Sequence, residues 1–375
     1  MHTAQCITAE QAVNRVKNGM MVAMRECALA RNQADVQKAI TEFGCDPDMF
    51  MYCGDGIDAV GVEHDGWLDH SIRVAVKGGI DPVEAVRMAT WNPARYYRVD
   101  EEMGSLTPGR LANLLVVDDL ETFPVRHVIA KGEHVVSHGA YIGVLERPTY
   151  PRYFYEGVRM PRPLTAEDLR IEVPGGQDTA LVRCIGAESL VMDERRVRLA
   201  VRDGSVPPDP EQDVAKLIMI DRYGRQERPA VAFIQGYHLQ RGAVGTSYNP
   251  LFNDIMAFGT NDRDIALAAN AVTEIGGGFV AVEDGQVKAA VPLPLLGLLS
   301  DGPLEELVPR LEELYGVVAD LGCTVPMPFH SVGFVSVCGS IPYLKMTARG
   351  LFDVQARRNV PTLVEGQMPT REENQ

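Results

Sequence analysis

Two short apolar runs, each ending on charged residues and each set among helical patterns, constrain the first hundred residues of this 375-residue chain. The first, MMVAMREC from Met20 to Cys27, carries Arg25 and Glu26 near its end. The second, DMFMYCGDG from Asp48 to Gly56, ends with Asp55 between two glycines. A continuous apolar run, rather than strict alternation, is the mark of a strand buried on both faces. Ahead of the first run, Thr8 to Met20 predicts a helix. Thr8 suits the N-cap and Gln11 the capping-box position, Ala12, Val13, Val16 and Met20 form one stripe, and Gly19 marks the end. ADVQKAITEFG predicts a second helix stopped at Gly44. DHSIRVAVKGG and DPVEAVRMATWNPARYY predict two more, the latter started by Asp81-Pro82 and broken at Asn92-Pro93. Residues 1 to about 95 therefore alternate helix and strand, the signature of parallel α/β units.

The pattern then changes. From about residue 103 to 145 the chain reads as short strands, ANLLVVDDL and VRHVIAKGEHVV. Prolines and aromatics crowd ERPTYPRYFYEGVRMPRPL, which is expected to link two domains. From about residue 165 strands (DTALVRCIG, KLIMIDRYG, PAVAFIQGY, GGGFVAVEDGQVKAAVPL) mix with helices (DRDIALAANAVTEIGGG, PLEELVPRLEELYGVVADLGC), an α+β arrangement. The tail TREENQ is expected to fray.

Composition narrows the function. A net charge of −15 leaves no basic stripe to follow a phosphate backbone, so nucleic acid is not an expected partner. No segment supplies the roughly 20 apolar residues of a membrane span, and MHTAQCITAEQAV has neither the basic nor the apolar region of a signal peptide. Seven cysteines without a C-x-x-C pair suit a reducing cytoplasm better than a disulfide framework.

In parallel α/β barrels the reactive side chains sit at the C-terminal tips of strands. Here those tips carry Arg25, Glu26 and Asp55. An aspartate in this place can ligate a divalent ion and take the proton of its bound water. GDG is also ordinary turn chemistry, and Arg25-Glu26 also reads as a surface pair. HDGWLDH (His64 to His70) offers two histidines and two aspartates, but its spacing matches no standard ligand code. Asp69 reads there as a helix N-cap. His134 and His138 lie in a strand-like run and read as structural, and His238 and His330 stand alone. Cys27 and Cys53, near the strand tips, read as small buried residues. EIGGGFVAVEDG follows a helix and precedes a strand, the reverse of a phosphate loop, and reads as a tight turn.

These residues resemble one family, the bacterial adenine deaminases of the amidohydrolase superfamily. TAEQAVNRVKNGMMVAMREC is similar to that family's helix and strand ending in Arg-Glu. YCGDG is similar to its Cys-Thr-Asp-Asp strand, and the resemblance places the metal-site aspartate on Asp55. GWLDHSIRVAVKGGIDPVEAVRMATWNPARYYRVDEEMGSLTPGRLANLLVVDDLE resembles the barrel end and the return to a small sandwich domain. GTNDRDIALAANAVTEIGGGFVAVEDGQVKAAVPLPLLGLLSD and IPYLKMTARGL resemble the family's C-terminal domain.

The resemblance implies the C-terminal part of a (β/α)8 metal-dependent hydrolase barrel over residues 1–98 and a small β-sandwich segment over 99–145. A linker over 146–164 and an α+β adenine-deaminase C-terminal domain over 165–370 follow. The chain also departs from the pattern. The family builds its metal centre from a His-x-His, a glutamate and two further histidines, and this sequence contains no His-x-His. A whole barrel takes about 250 residues, yet the barrel-closing stretch MGSLTPGRLANLLVVDDLE begins at Met103. The chain thus reads as an N-terminally truncated, divergent member. TAQC stands where the family has Asp-His-Glu, so that His2 substitutes only with a register slip. NPLFND (Asn249 to Asp254) and Tyr223 stand where the family carries histidines.

The activity implied is hydrolysis of adenine to hypoxanthine and ammonia by a metal-activated hydroxide. Asp55 would shuttle the proton, and Arg25 and Glu26 would orient the base. The implied cofactor is manganese or iron, with zinc as an alternative, and the partner a purine base. With most ligands missing, the chain alone is expected to be weak or inactive, working as a homo-oligomer or with a complementing N-terminal barrel segment. The alternatives are a non-catalytic scaffold or partner subunit, and a related hydrolase of another purine-like ring.

Overall fold

The expected helix–strand alternation is present, with local differences that have physical causes. The structure, a computed structural model, describes residues 6–27, 30–187, 192–337 and 343–364; His2 lies outside the described residues. The chain divides into two units, Met1–Thr149 and Tyr150–Gln375.

In the first unit, α1 (Ala9–Lys17) starts at Thr8, whose hydroxyl accepts from the Gln11 N–H. Gln11 does not close a capping box on Thr8; its Oε1 accepts from the Ile7 N–H at 2.9 Å. Strand β1 (Val22–Cys27) follows, with β2 (Ala30–Arg31) antiparallel to its end. The expected second helix is two short turns, α2 (Gln33–Val36) and α3 (Lys38–Thr41). Strand β3 (Phe50–Cys53) lies parallel to β1, in the register Val22↔Phe50 to Arg25↔Cys53. Val22, Ala23, Met24, Phe50, Met51 and Tyr52 are all buried, as strands covered on both faces require. Helices α4 (Ala59–Asp65), α5 (Leu68–Lys77), α6 (Pro82–Ala89) and α7 (Trp91–Tyr97) complete this part.

Two helix signals act differently from expectation. Asp81 caps α6 as expected, accepting from Val83 and Glu84 N–H. The break falls at Thr90, not at Asn92-Pro93; Pro93 sits in the first turn of α7, where its missing N–H has no helical acceptor to lose. Asp69 is not the N-cap of α5. It lies in the first turn and reaches back to accept from the Trp67 N–H at 2.8 Å.

One core joins α1, the β1–β3 pair, α5 and α6 through Ala12, Val22, Met24, Phe50, Tyr52, Ile72, Ala75 and Met88. The parallel pair does not close into a barrel among the described residues. Beyond it, β4 (Leu114–Val117), β5 (Val125–Ala130), β6 (Glu133–Ser137) and β7 (Ala140–Tyr141) form a four-stranded antiparallel meander.

The second unit is built on an eight-stranded sheet of β8 (Thr179–Gly186), β9 (Asp193–Ala200), β10 (Ala215–Ile220), β11 (Ala230–Gln235), β12 (Ala243–Thr246), β13 (Ile255–Gly259), β14 (Gly278–Glu283) and β15 (Gln286–Pro292). Its order is β15-β14-β12-β13-β10-β11-β8-β9. Among the described residues of this sheet only β8 and β11 pair in parallel. Helix α8 (Asp262–Glu274) covers β12, β13 and β14 through Ile265, Ala268, Ala269 and Val272. Gly276, Gly277 and Gly278 all take positive φ between α8 and β14, the tight turn read from the sequence. Val158 and Leu164, within the expected linker, are buried in this core. Helices α9 (Leu304–Asp320) and α10 (Pro328–Gly333) and a small antiparallel sheet, β16 (Leu344–Thr347), β17 (Gly350–Asp353) and β18 (Arg358–Val360), complete the unit.

Candidate active site at the tips of the parallel strands

The parallel register brings the ends of β1 and β3 together, and two of the three residues singled out in the sequence, Arg25 and Asp55, meet there. Arg25 Nη1 lies 3.1 Å from Asp55 Oδ2. The arginine side chain is 15% exposed and the aspartate 42%. Asp55 adopts φ +48, unusual for a residue with a Cβ, and its Oδ1 accepts from the Gly56 N–H at 2.8 Å. Arg25 Nε is buried and has no hydrogen-bond partner among the described residues.

Glu26 is held differently. Its Oε1 accepts from the Gln33 N–H at 2.9 Å, and Gln33 Nε2 in turn donates to the Ser71 carbonyl at 2.7 Å. That bond ties α2 to α5 and carries His70 toward the strand tip. His70 Nε2 stands 3.6 Å from Glu26 Oε2, with the two side chains 20% and 9% exposed. The sequence pointed to His70 only as one of two histidines in an unclassified loop. Nothing in the spacing of HDGWLDH signals that its last residue meets Glu26.

The rest of HDGWLDH builds the rim. Asp65 pairs with Arg31 at 2.6 Å, and this bond holds its carboxyl below the usual range. Burial raises Asp69, but bonds from Arg73 and the Trp67 N–H outweigh it and leave the carboxyl below its ordinary value. Trp67 is 54% exposed and lies against the Gly54 backbone; a Cβ at Gly54 would overlap the indole Nε1. Cys53 is a half-buried free thiol at the tip of β3. The Cys27 side chain lies outside the described residues.

As a metal site the arrangement is incomplete. Both Asp55 oxygens are engaged, by Arg25 and by the Gly56 N–H. Among the described residues no three or more His, Cys, Asp or Glu side chains are grouped to hold a metal ion.

In the second unit Asn249, Asp254 and Tyr223 have different surroundings. Asn249 is fully buried; its Nδ2 donates to the Asp254 carbonyl, and its Oδ1 accepts from the Phe252 and Asn253 N–H groups and the Ser336 hydroxyl. Burial pushes Asp254 up to about 6, with Asp221 adding to the effect. Tyr223 is 60% exposed under the Arg225 guanidinium, 5.1 Å from ring centroid to Cζ. No motif marks the buried Lys216, whose ammonium bonds Asp262 at 2.7 Å and the Leu169 carbonyl at 3.1 Å.

Residues 2–135 match the amidohydrolase family and residues 189–358 the adenine deaminase C-terminal domain. The chain is 33% identical over 358 residues to an adenine deaminase of Clostridium botulinum (strain Langeland), covering 95% of this chain and 60% of that protein. It is 33% identical over 350 residues to an adenine deaminase of Kosmotoga olearia, covering 93% and 59% respectively. A solved β-aspartyl dipeptidase from Fervidobacterium islandicum aligns at 22% identity and a TM-score of 0.29, over 36% of this chain and 39% of that one. The chain therefore spans about three-fifths of the length of the curated relatives it matches. No helix among the described residues is long and apolar enough to cross a membrane. The two matched regions and the collinear relatives together show that the chain is similar to the adenine deaminases of the amidohydrolase family over most of its length.

Proposed function

We propose that this chain takes part in the hydrolytic deamination of adenine to hypoxanthine and ammonia, with the strand-tip cluster as its contribution to the site. The observation that carries the reading is the Arg25–Asp55 pair at the end of a parallel strand, inside the region that matches the amidohydrolase family. In the reaction, water adds at C6 of the purine, a proton leaves the attacking oxygen, and another must reach the departing amine. Asp55, 42% exposed, is the carboxylate placed to accept the first and deliver it to the second. Arg25 fixes its orientation through the 3.1 Å ion pair. Glu26, set by the Gln33 N–H and by His70, orients the base from the other side.

Amidohydrolases typically use a divalent ion, which lowers the pKa of bound water. Manganese, iron and zinc all accept imidazole and carboxylate donors. The described residues do not complete such a donor set, so this chain's part is proton handling and base orientation. The remaining donors come, in this reading, from a complementing barrel segment or a second copy. Residues 1–98 are then the end of a barrel, 99–145 its sandwich segment, 146–164 the linker and 165–370 the C-terminal domain. The compartment is the cytoplasm.

The test is incubation of the purified chain with adenine, with and without Mn(II), reading ammonia, hypoxanthine and bound metal together. Hypoxanthine formation that requires metal supports the enzyme reading. Bound adenine with no turnover in any preparation favours a non-catalytic descendant.

A further inference from the structure

The four-stranded meander of the first unit holds a group of histidines that the reading above does not use. His127 lies on β5, His134 on β6, and His138 in the turn to β7. His127 Nδ1 and His134 Nε2 are 3.2 Å apart, and the His138 ring meets His127 edge-on at a centroid distance of 4.9 Å.

The backbone is arranged to bring these rings together. Lys131 and Gly132 both take positive φ, the form of a two-residue hairpin turn, and set His134 opposite Ile129. Cross-strand partners share a sheet face, as do residues two apart on one strand. His134 therefore shares the face of Ile129 and of His127. The register then shifts by one residue, so that Val136 pairs with Val128 and the small Ser137 stands opposite His127. Bulges of this kind re-aim side chains. His138 takes φ +51, a conformation that hairpin turns normally give to Asn, Asp or Gly.

From this geometry we propose that His127 and His134 form a two-nitrogen chelate for a divalent transition-metal ion such as Zn²⁺, separate from the strand-tip site. Imidazole nitrogens bind Zn²⁺ at about 2.0–2.1 Å, so two of them at ordinary ligand angles stand about 3.0–3.4 Å apart. The observed 3.2 Å falls within that range. His134 and His138 are exposed, which leaves the ion's other positions to water, and His138 props the His127 ring. The strongly acidic chain draws cations toward it.

The test is equilibrium dialysis of the full chain against Zn²⁺, with H127A, H134Q and the control H64A. H134Q keeps a polar side chain that bonds His127 but ligates zinc poorly, and thermal melting without metal confirms that each variant is folded. We expect H127A and H134Q each to lose one Zn²⁺ per chain, or at least tenfold in affinity, while H64A does not. Unchanged zinc binding in folded H127A and H134Q, or no zinc bound by the parent chain, overturns the proposal.

Discussion

Arg25 and Asp55, thirty residues apart in the chain, meet at 3.1 Å because β1 and β3 run parallel in a register that sets Arg25 beside Cys53. Asp55 lies two residues beyond that partner, at a left-handed φ of +48. The ion pair and the Gly56 N–H hold both carboxylate oxygens in place.

Asp55→Asn keeps the shape and removes the carboxylate proposed as the base. In a preparation that turns over adenine, it is expected to lower kcat by about 10²–10⁴-fold, the range of a positioned general acid–base. Arg25→Ala is expected to cost less and to raise KM as well. Steady-state ammonia release measures both.

Asn92 fixes the strand that presents Asp55. It is 1% exposed, and its Nδ2 donates to the Pro47 carbonyl at 3.0 Å and the Phe50 carbonyl at 2.8 Å. Asn92→Ala leaves both carbonyls without that donor and is expected to cost about 2 kcal/mol. Urea denaturation followed by Trp fluorescence reads the loss.

Lys216 and Asp262 form a pair whose lysine is fully buried. Burial lowers the lysine and raises the aspartate, and each opposes the shift of the other. Lys216→Ala strands the carboxylate and is expected to cost about 3–5 kcal/mol, whereas Lys216→Met with Asp262→Leu costs far less. Melting temperatures of the single and double variants decide this.

Asp254 gives a pH signature of definite sign. Its folded pKa is raised to about 6, chiefly by burial. The folded state thus holds a proton that the unfolded chain has released between about pH 4 and 6. Its contribution is fully present below pH 4 and is lost as pH rises through 6. Relative to Asp254→Asn, the parent chain is expected to lose about 2 kcal/mol across that window, measured by denaturation at pH 4 and pH 7.

The helix–strand alternation was legible because it is local: apolar runs, caps and glycines lie next to the elements they define. Asp55, Arg25 and Glu26 were legible as strand-tip residues for the same reason. The Glu26–His70 contact was not, since it depends on how α2 docks on α5 through Gln33 and Ser71. Asp69 and Pro93 each carried the right signal one or two residues from where it acts, because a helix start can be served from its first turn as well as from its cap. The buried Lys216 gave no sign, since a polar residue inside an apolar run acquires meaning only from partners far along the chain.

If Asp55 serves the proposed adenine deamination and the missing metal donors come from elsewhere, a mixing experiment reveals both. The direct measurement is ammonia release from adenine with Mn(II), by the chain alone and mixed with the segment of the Clostridium botulinum relative outside the match. Background release is expected from the chain alone, and turnover that Asp55→Asn abolishes is expected in the mixture. Full turnover by the chain alone, or turnover in the mixture that survives Asp55→Asn, would contradict it.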